Sequence, residues 1–214
     1  GDVYKRQGEK LSIITSKAQT TRHRILGIVN GDDFQIILSD TPGIIKPAYE
    51  LQSSMMDFVK SAFDDADILI YMVEIGEKEL KDKAFFEKIK SSKVPVLMLL
   101  NKIDTSNQAQ LEAQAALWQQ NLPNAEFFPV SALEGFNVKN VLDRIIDLLP
   151  ESTAYYAKDQ LTDKPERFFV NECIREKILI HYKKEIPYAV EVLTEEFFEE
   201  EEIIRIRAII YVLR

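Results

Sequence analysis

The chain has a single cysteine among its 214 residues, Cys173, so no disulfide framework holds it. That fits a reducing compartment, and Cys173 reads as a small apolar residue buried on a helix face. No apolar run is long enough to span a bilayer. The longest, Val94 to Leu100 and Ile68 to Val73, have the length of buried strands, and a soluble protein is expected. Positive charge is also short, with 27 Lys and Arg against 35 Asp and Glu and a formal charge of −8. This argues against an extended nonspecific grip on nucleic acid, which scales with the phosphates neutralised, while leaving room for a local basic site. Nowhere is there a Gly-x-x-x-x-Gly-Lys-Ser/Thr sequence, the loop that cradles phosphates. Residues 1–7, Gly-Asp-Val-Tyr-Lys-Arg-Gln, have neither the apolar core of a signal peptide nor the pattern of a buried strand. They read as a foreign junction.

The hydrophobic share of 46% and the charged share of 29% suffice for one α/β core and part of a second. Two apolar runs, Arg24 to Val29 and Phe34 to Ser39, flank Asn30-Gly31-Asp32-Asp33, a strong hairpin signal, and should pair antiparallel. A helix at Leu51 to Phe63 precedes a strand at Asp67 to Val73 that is apolar on both faces. Then come a helix near Glu79 to Ser91, a strand at Val94 to Leu100, a helix near Asn107 to Gln120, a strand at Glu126 to Val130 and a helix at Val138 to Leu149. Such alternation predicts right-handed crossovers and a mainly parallel sheet with helices on both faces, binding ligands at the carboxyl ends of its strands. Pro150 stops the last helix, and residues 151–164 read as a polar linker. Beyond it Pro165 opens a helix to about Tyr182, with Phe169, Cys173, Ile174 and Ile178 near one face. Strands follow at Tyr188 to Leu193 and Ile203 to Leu213, the second expected to pair with an element further on. The acidic run Glu195, Glu196, Glu199 to Glu202 between them reads as a solvated turn.

Three loops at strand ends carry chemistry. Asp40-Thr41-Pro42-Gly43 follows the second apolar run and suits a loop that senses a terminal phosphate and its magnesium ion. Asp40 would hold the metal through water, and the Gly43 amide would meet the γ-phosphate, where a side chain would crowd the approach. The same four residues also suit an ordinary turn. Asn101-Lys102-Ile103-Asp104 suits a guanine reader. The amide edge of guanine offers two adjacent donors, both of which a fixed carboxylate at Asp104 accepts, whereas adenine leaves that carboxylate without donors. Asn101 would bond the far edge of the purine and tie loops together, with the Lys102 stem over the ring. Ser131-Ala132 follows Phe127-Phe128-Pro129-Val130 and falls where a last base contact would lie. Together these loops point to a GTPase that uses GTP, GDP and Mg2+.

The run Lys17-Ala18-Gln19-Thr20-Thr21-Arg22-His23-Arg24-Ile25, with Asp40 to Ile44, Asn101 to Asp104 and Val130-Ser131-Ala132, resembles the Era GTPases, bacterial ribosome-assembly proteins with a C-terminal KH domain. The resemblance runs from Gly8 to the end. It implies a P-loop NTPase-like GTPase domain over residues 8–150, a linker over 151–164 and a partial α+β KH domain over 165–214. It makes Lys17 to Ile25 the first switch segment, with Thr21 as the residue whose hydroxyl reaches magnesium in the GTP state and Thr20 as the fallback. Ile44 takes the place of the glutamine that orients water in Ras-like enzymes, a replacement the family shares, so no side chain is assigned as catalytic. His23 is expected in a mobile switch loop with no catalytic role, and His181 on the surface.

Gly8 to Ser12 resembles the segment just after the family's first helix. The first strand, the phosphate loop and most of that helix are thus expected to be missing from these residues, and nucleotide affinity to collapse without them. The Gly-x-x-Gly loop with which KH domains clamp RNA is not in the sequence. The resemblance implies small-subunit ribosomal RNA and the 30S subunit as partners, a cytoplasmic monomer, and peripheral contact with the inner membrane. Two other readings stay open: a related GTPase acting in tRNA modification or large-subunit assembly, and a nucleotide-free RNA-binding or scaffold protein.

Overall fold

A computed structural model describes residues 20–45, 47–77, 82–182 and 190–212. Lys17 to Gln19 of the switch run, residues 1–12, the start of the helix expected near Glu79, and Tyr188 and Leu213 lie outside the described residues. The described elements are β1 (Ile25–Asn30), β2 (Gln35–Asp40), α1 (Glu50–Asp64), β3 (Leu69–Glu74), α2 (Lys83–Lys90), β4 (Val96–Asn101), α3 (Gln108–Asn121), β5 (Glu126–Pro129), α4 (Val138–Leu148), α5 (Glu166–His181), β6 (Val190–Glu199) and β7 (Ile204–Val212).

They fall into two compact units. One comprises the described residues up to Asn30, Ile37–Gly43 and everything from Tyr156 on; the other comprises Gly31–Ile36 and Ile44–Tyr155. The units cut across the sequence divisions at 150 and 165. They do so because residues 151–164 run partly along β1: Ile28 donates its amide to the Leu161 carbonyl at 2.9 Å, and the Leu26 amide donates to Asp163 Oδ1 at 3.0 Å.

In the second unit β3, β4 and β5 form a parallel sheet in that order, with Leu69 opposite Val96 and Leu97 opposite Glu126. Val96 to Leu100 are all buried. Because successive side chains point to opposite faces, Val96, Met98 and Leu100 meet Met56, Val59, Phe85, Ile89 and Trp118 in one core, while Leu97 and Leu99 are buried on the other face. The strand β3 does not follow its two-faced apolar pattern. Val73 is buried, but Ile70 and Met72 stay 40% and 43% exposed, although their register partners Leu97 and Leu99 on β4 are buried. Helix starts are chemically marked: Asp82 accepts the amides of Ala84 and Phe85, and Asn107 with Gln110 forms a capping box.

Strands β1 and β2 are sheet neighbours, and their four-residue connection permits only an antiparallel pair. Helix α5 packs through Ile178 on Val190 and Val192 of β6, which pairs antiparallel with β7. The acidic run is not a turn throughout. Strand β6 continues to Glu199, with a bulge between Thr194 and Glu196, and Arg207 of β7 pairs with Glu195 and Glu196, which draws those carboxylates into the ladder. Cys173 is exposed rather than buried. The buried face of α5 instead carries Glu172, Arg175, Glu176, Ile178 and Leu179, and its charges are tolerated because Glu172 and Arg175 pair.

Candidate nucleotide-binding site

The base-reading residues lie in the second unit. Asn101 ends β4, and its Oδ1 accepts the amide of Lys102 at 2.8 Å and that of Ala132 at 3.0 Å, joining two loops through one side chain. Lys102 then takes a left-handed φ of 64° before a 3-10 turn over Ile103–Thr105. That conformation is uncommon for a residue with a Cβ and collects at functional loops. It turns Asp104 out into solvent, where Ser131 donates its hydroxyl to Asp104 Oδ1 at 2.6 Å. Ser131 is itself buried, and its Oγ accepts the Glu134 amide at 3.2 Å. The Ile103 amide reaches the Val130 carbonyl. The structure thus brings Asn101, Ile103, Asp104, Ser131 and Ala132 into one bonded constellation. One Asp104 oxygen is oriented by Ser131, and the carboxylate faces solvent, as a group that accepts two adjacent N–H donors must.

Sequence reasoning passed over three residues here. Glu74, ending β3, holds the Lys102 ammonium at 2.5 Å. Gln114, buried on α3, accepts the Gly76 amide at 2.9 Å and donates to the Glu77 carbonyl, fixing the loop after β3. Leu133 stands 73% exposed beside Ala132. None belongs to a motif, and nothing in the sequence singles out Gln114 among the several glutamines of its helix. Ile44 packs its aliphatic side chain against the core of this unit, and the Ile45 amide points at Met56 Sδ at 3.5 Å.

The switch and Asp40 residues lie in the first unit. Pro42 is fully buried and Gly43 exposed. A Cβ on Gly43 would meet nothing within 4 Å, so no atom of the described residues requires a glycine there. The requirement, if chemical, comes from a ligand that approaches the backbone. Thr21 is half-buried between Thr20, whose carbonyl accepts from Arg175 at 2.6 Å, and Arg22, whose guanidinium donates to the Val190 carbonyl at 2.7 Å. His23 is not in an unpacked loop. Its ring meets Phe168 edge-on at 5.7 Å, and burial pushes its imidazole below the ordinary value against the opposing pull of Glu172 and Glu191. His181 is exposed at the end of α5. Among the described residues no three His, Cys, Asp or Glu side chains gather into a metal cluster. Asp40 and Thr21 offer hard oxygen donors, a sparse set suited to a magnesium ion held chiefly by phosphates and water.

Residues 5–102 match a family described as a 50S ribosome-binding GTPase. Over 209 residues the chain is 41% identical to GTPase Era of Staphylococcus haemolyticus (strain JCSC1435), covering 97% of this chain and 70% of that protein. The chain belongs to the Era GTPase family. Two solved Era structures agree. One, Era with MgGDPNP and nucleotides 1506–1542 of 16S ribosomal RNA, superposes with a TM-score of 0.91 at 32% identity, covering 97% of this chain and 72% of the other. The second, a variant of Aquifex aeolicus Era bound to GDP and AlF4−, gives 0.90 at 31% identity, covering 100% and 76%. Membership fixes the P-loop GTPase fold and GTP hydrolysis as the family's reaction. No helix among the described residues is long and apolar enough to cross a membrane.

Proposed function

We propose that this protein binds GTP and GDP with magnesium, hydrolyses GTP, and uses the resulting switch to time its binding to small-subunit (16S) ribosomal RNA during 30S assembly. The observation that carries the nucleotide half is the Asp104 carboxylate, solvent-facing and oriented by buried Ser131. Asp104 takes both donors of guanine, Asn101 the far edge, and the Lys102 stem and Leu133 the two faces of the ring. When bound, magnesium supplies charge neutralisation at the β- and γ-phosphates. Asp40 holds it through water, the Thr21 hydroxyl joins it in the GTP state, and the Gly43 amide meets the γ-phosphate, with Thr41, Pro42 and Ile44 completing that loop. Ile44 has no polar atom with which to orient water. Residues 8–150 serve as the GTPase domain, 151–164 as the linker and 165–214 as part of a KH domain. The protein acts as a cytoplasmic monomer with peripheral contact at the inner membrane.

Residues 1–214 contain no Gly-x-x-x-x-Gly-Lys-Ser/Thr. The base loop alone supplies a few hydrogen bonds of about 0.5–3 kcal/mol each, which at best offset the ~4–15 kcal/mol cost of association and leave little net affinity. Calorimetric titration with GDP and ADP therefore compares residues 1–214 with the same chain carrying a family phosphate loop ahead of Gly8. Tight GDP binding by the loop-bearing chain alone, with ADP excluded, is the expected result. Equal affinity for GDP and ADP would refute the guanine assignment. An RNA of nucleotides 1506–1542 of 16S ribosomal RNA, the segment bound in the Era complex, should bind the loop-bearing chain more tightly with GDPNP than with GDP.

A further inference from the structure

Thr21 is gripped on both sides by buried arginines. Arg175 of α5, 3% exposed, takes both oxygens of Glu172 through Nε and Nη2 at 2.8 and 2.6 Å, and Nη2 also donates to the Thr20 carbonyl at 2.6 Å. One residue after Thr21, Arg22 is 5% exposed; its Nη1 donates to the Val190 carbonyl at 2.7 Å and lies 3.8 Å from Glu191. The chain entering Thr21 is thus held from α5, and the chain leaving it is held to β6. Two features argue that this serves more than stability. A buried ion pair is seldom a net gain over apolar packing, yet here it sets the plane of a rigid fork so that a further N–H is aimed at the switch backbone. Moreover Arg175 Nη1 is buried with no hydrogen-bond partner among the described residues, and a buried donor of that kind calls for an explanation beyond the ion pair.

We propose that Arg175 and Arg22 are positioning residues that hold Thr21 where its hydroxyl serves magnesium in the GTP state, coupling α5 and β6 to the nucleotide switch. The proposal rests on the role given to Thr21 above. By reciprocity, a ligand that displaces α5 or β6 changes GTP affinity by the factor by which GTP changes its own.

Hydrogen exchange on residues 1–214 tests the clamp without nucleotide. In Arg175→Met and in Arg22→Gln, the amides of position 22 and of His23 should exchange about tenfold faster or more, while Met98 to Leu100 of β4 keep their rates. Arg22→Gln leaves the Glu172–Arg175 pair intact and decides the matter if Arg175→Met unfolds. Unchanged exchange at position 22 and at His23 in Arg22→Gln would overturn the clamp. In the loop-bearing chain, either variant should weaken Mg2+-dependent GDPNP binding by about tenfold while GDP affinity stays within about twofold. Arg175→Lys, which keeps the charge and loses the fork, should restore little. Equal weakening of both nucleotides, no change, or tighter GDPNP binding would overturn the positioning role. If the parent loop-bearing chain binds neither nucleotide, the GTPase reading fails, and hydrogen exchange alone judges the clamp.

Discussion

The hydroxyl of Ser131 donates to Asp104 Oδ1 at 2.6 Å across two loops that are 27 residues apart in sequence. Because Ser131 is buried and Asp104 exposed, the serine acts as a fixed post for a solvent-facing acceptor. Removing the hydroxyl leaves the carboxylate free to rotate, so its orientation must be set anew when the base arrives. Ser131→Ala should weaken GDP binding in the loop-bearing chain by about tenfold, ~1.4 kcal/mol, and should cost about 1 kcal/mol of stability, because the Glu134 amide loses its acceptor as well. Calorimetry beside a melting curve separates the two effects.

Gly43 offers a cleaner separation of fold from function. With nothing within 4 Å of an added Cβ, Gly43→Ala should leave the melting temperature essentially unchanged. The added methyl should crowd the γ-phosphate, so GDPNP affinity falls by about tenfold or more while GDP affinity falls far less. Equal losses for both nucleotides would remove Gly43 from the γ-phosphate site.

Ile44 packs against the core and presents no polar atom. Ile44→Ala should therefore lower the hydrolysis rate by well under about 10³-fold, or ~4 kcal/mol, and should destabilise the fold by about 1 kcal/mol, less than for a fully buried isoleucine because Ile44 is only partly buried. Single-turnover GTP hydrolysis measures the first effect and denaturant unfolding the second. A larger rate loss would show that its packing positions the site.

His23 carries a pH signature. Burial holds its folded pKa below the ordinary 6.5, so between the two values the unfolded chain binds the extra proton. Its neutral form costs nothing above about pH 6.5, and stability falls as pH drops through that value towards the folded pKa. His23→Phe, which keeps the edge-on contact with Phe168, should flatten the loss of stability on acidification from neutral pH. Unfolding curves at several pH values would show an unchanged slope if His23 were solvated.

Strand and helix alternation was legible from the length and spacing of apolar runs: Val94 to Leu100 has the length of a buried strand, and Val96 to Leu100 are buried. The base loop was legible because its residues sit in short motifs at strand ends. What lay hidden depends on contacts between distant segments. Nothing local marks Arg175 as the partner of the Thr20 carbonyl, 155 residues away, or residues 158–163 as lying along β1. The acidic stretch misled for the same reason: a run of glutamates reads as solvated until Arg207 on the facing strand supplies the partner. Cys173 misled because the helix face that buried it in expectation is occupied by a paired Glu172 and Arg175.

The central claim is that Asp104 reads guanine. Asp104→Asn replaces an acceptor of two donors by a group that itself donates, matching the carbonyl that xanthine carries at that edge. Competition binding of GDP and XDP to the loop-bearing chain should show preference transferred from the guanine to the xanthine nucleotide in the variant. An Asp104→Asn protein that keeps its full preference for GDP would contradict the account.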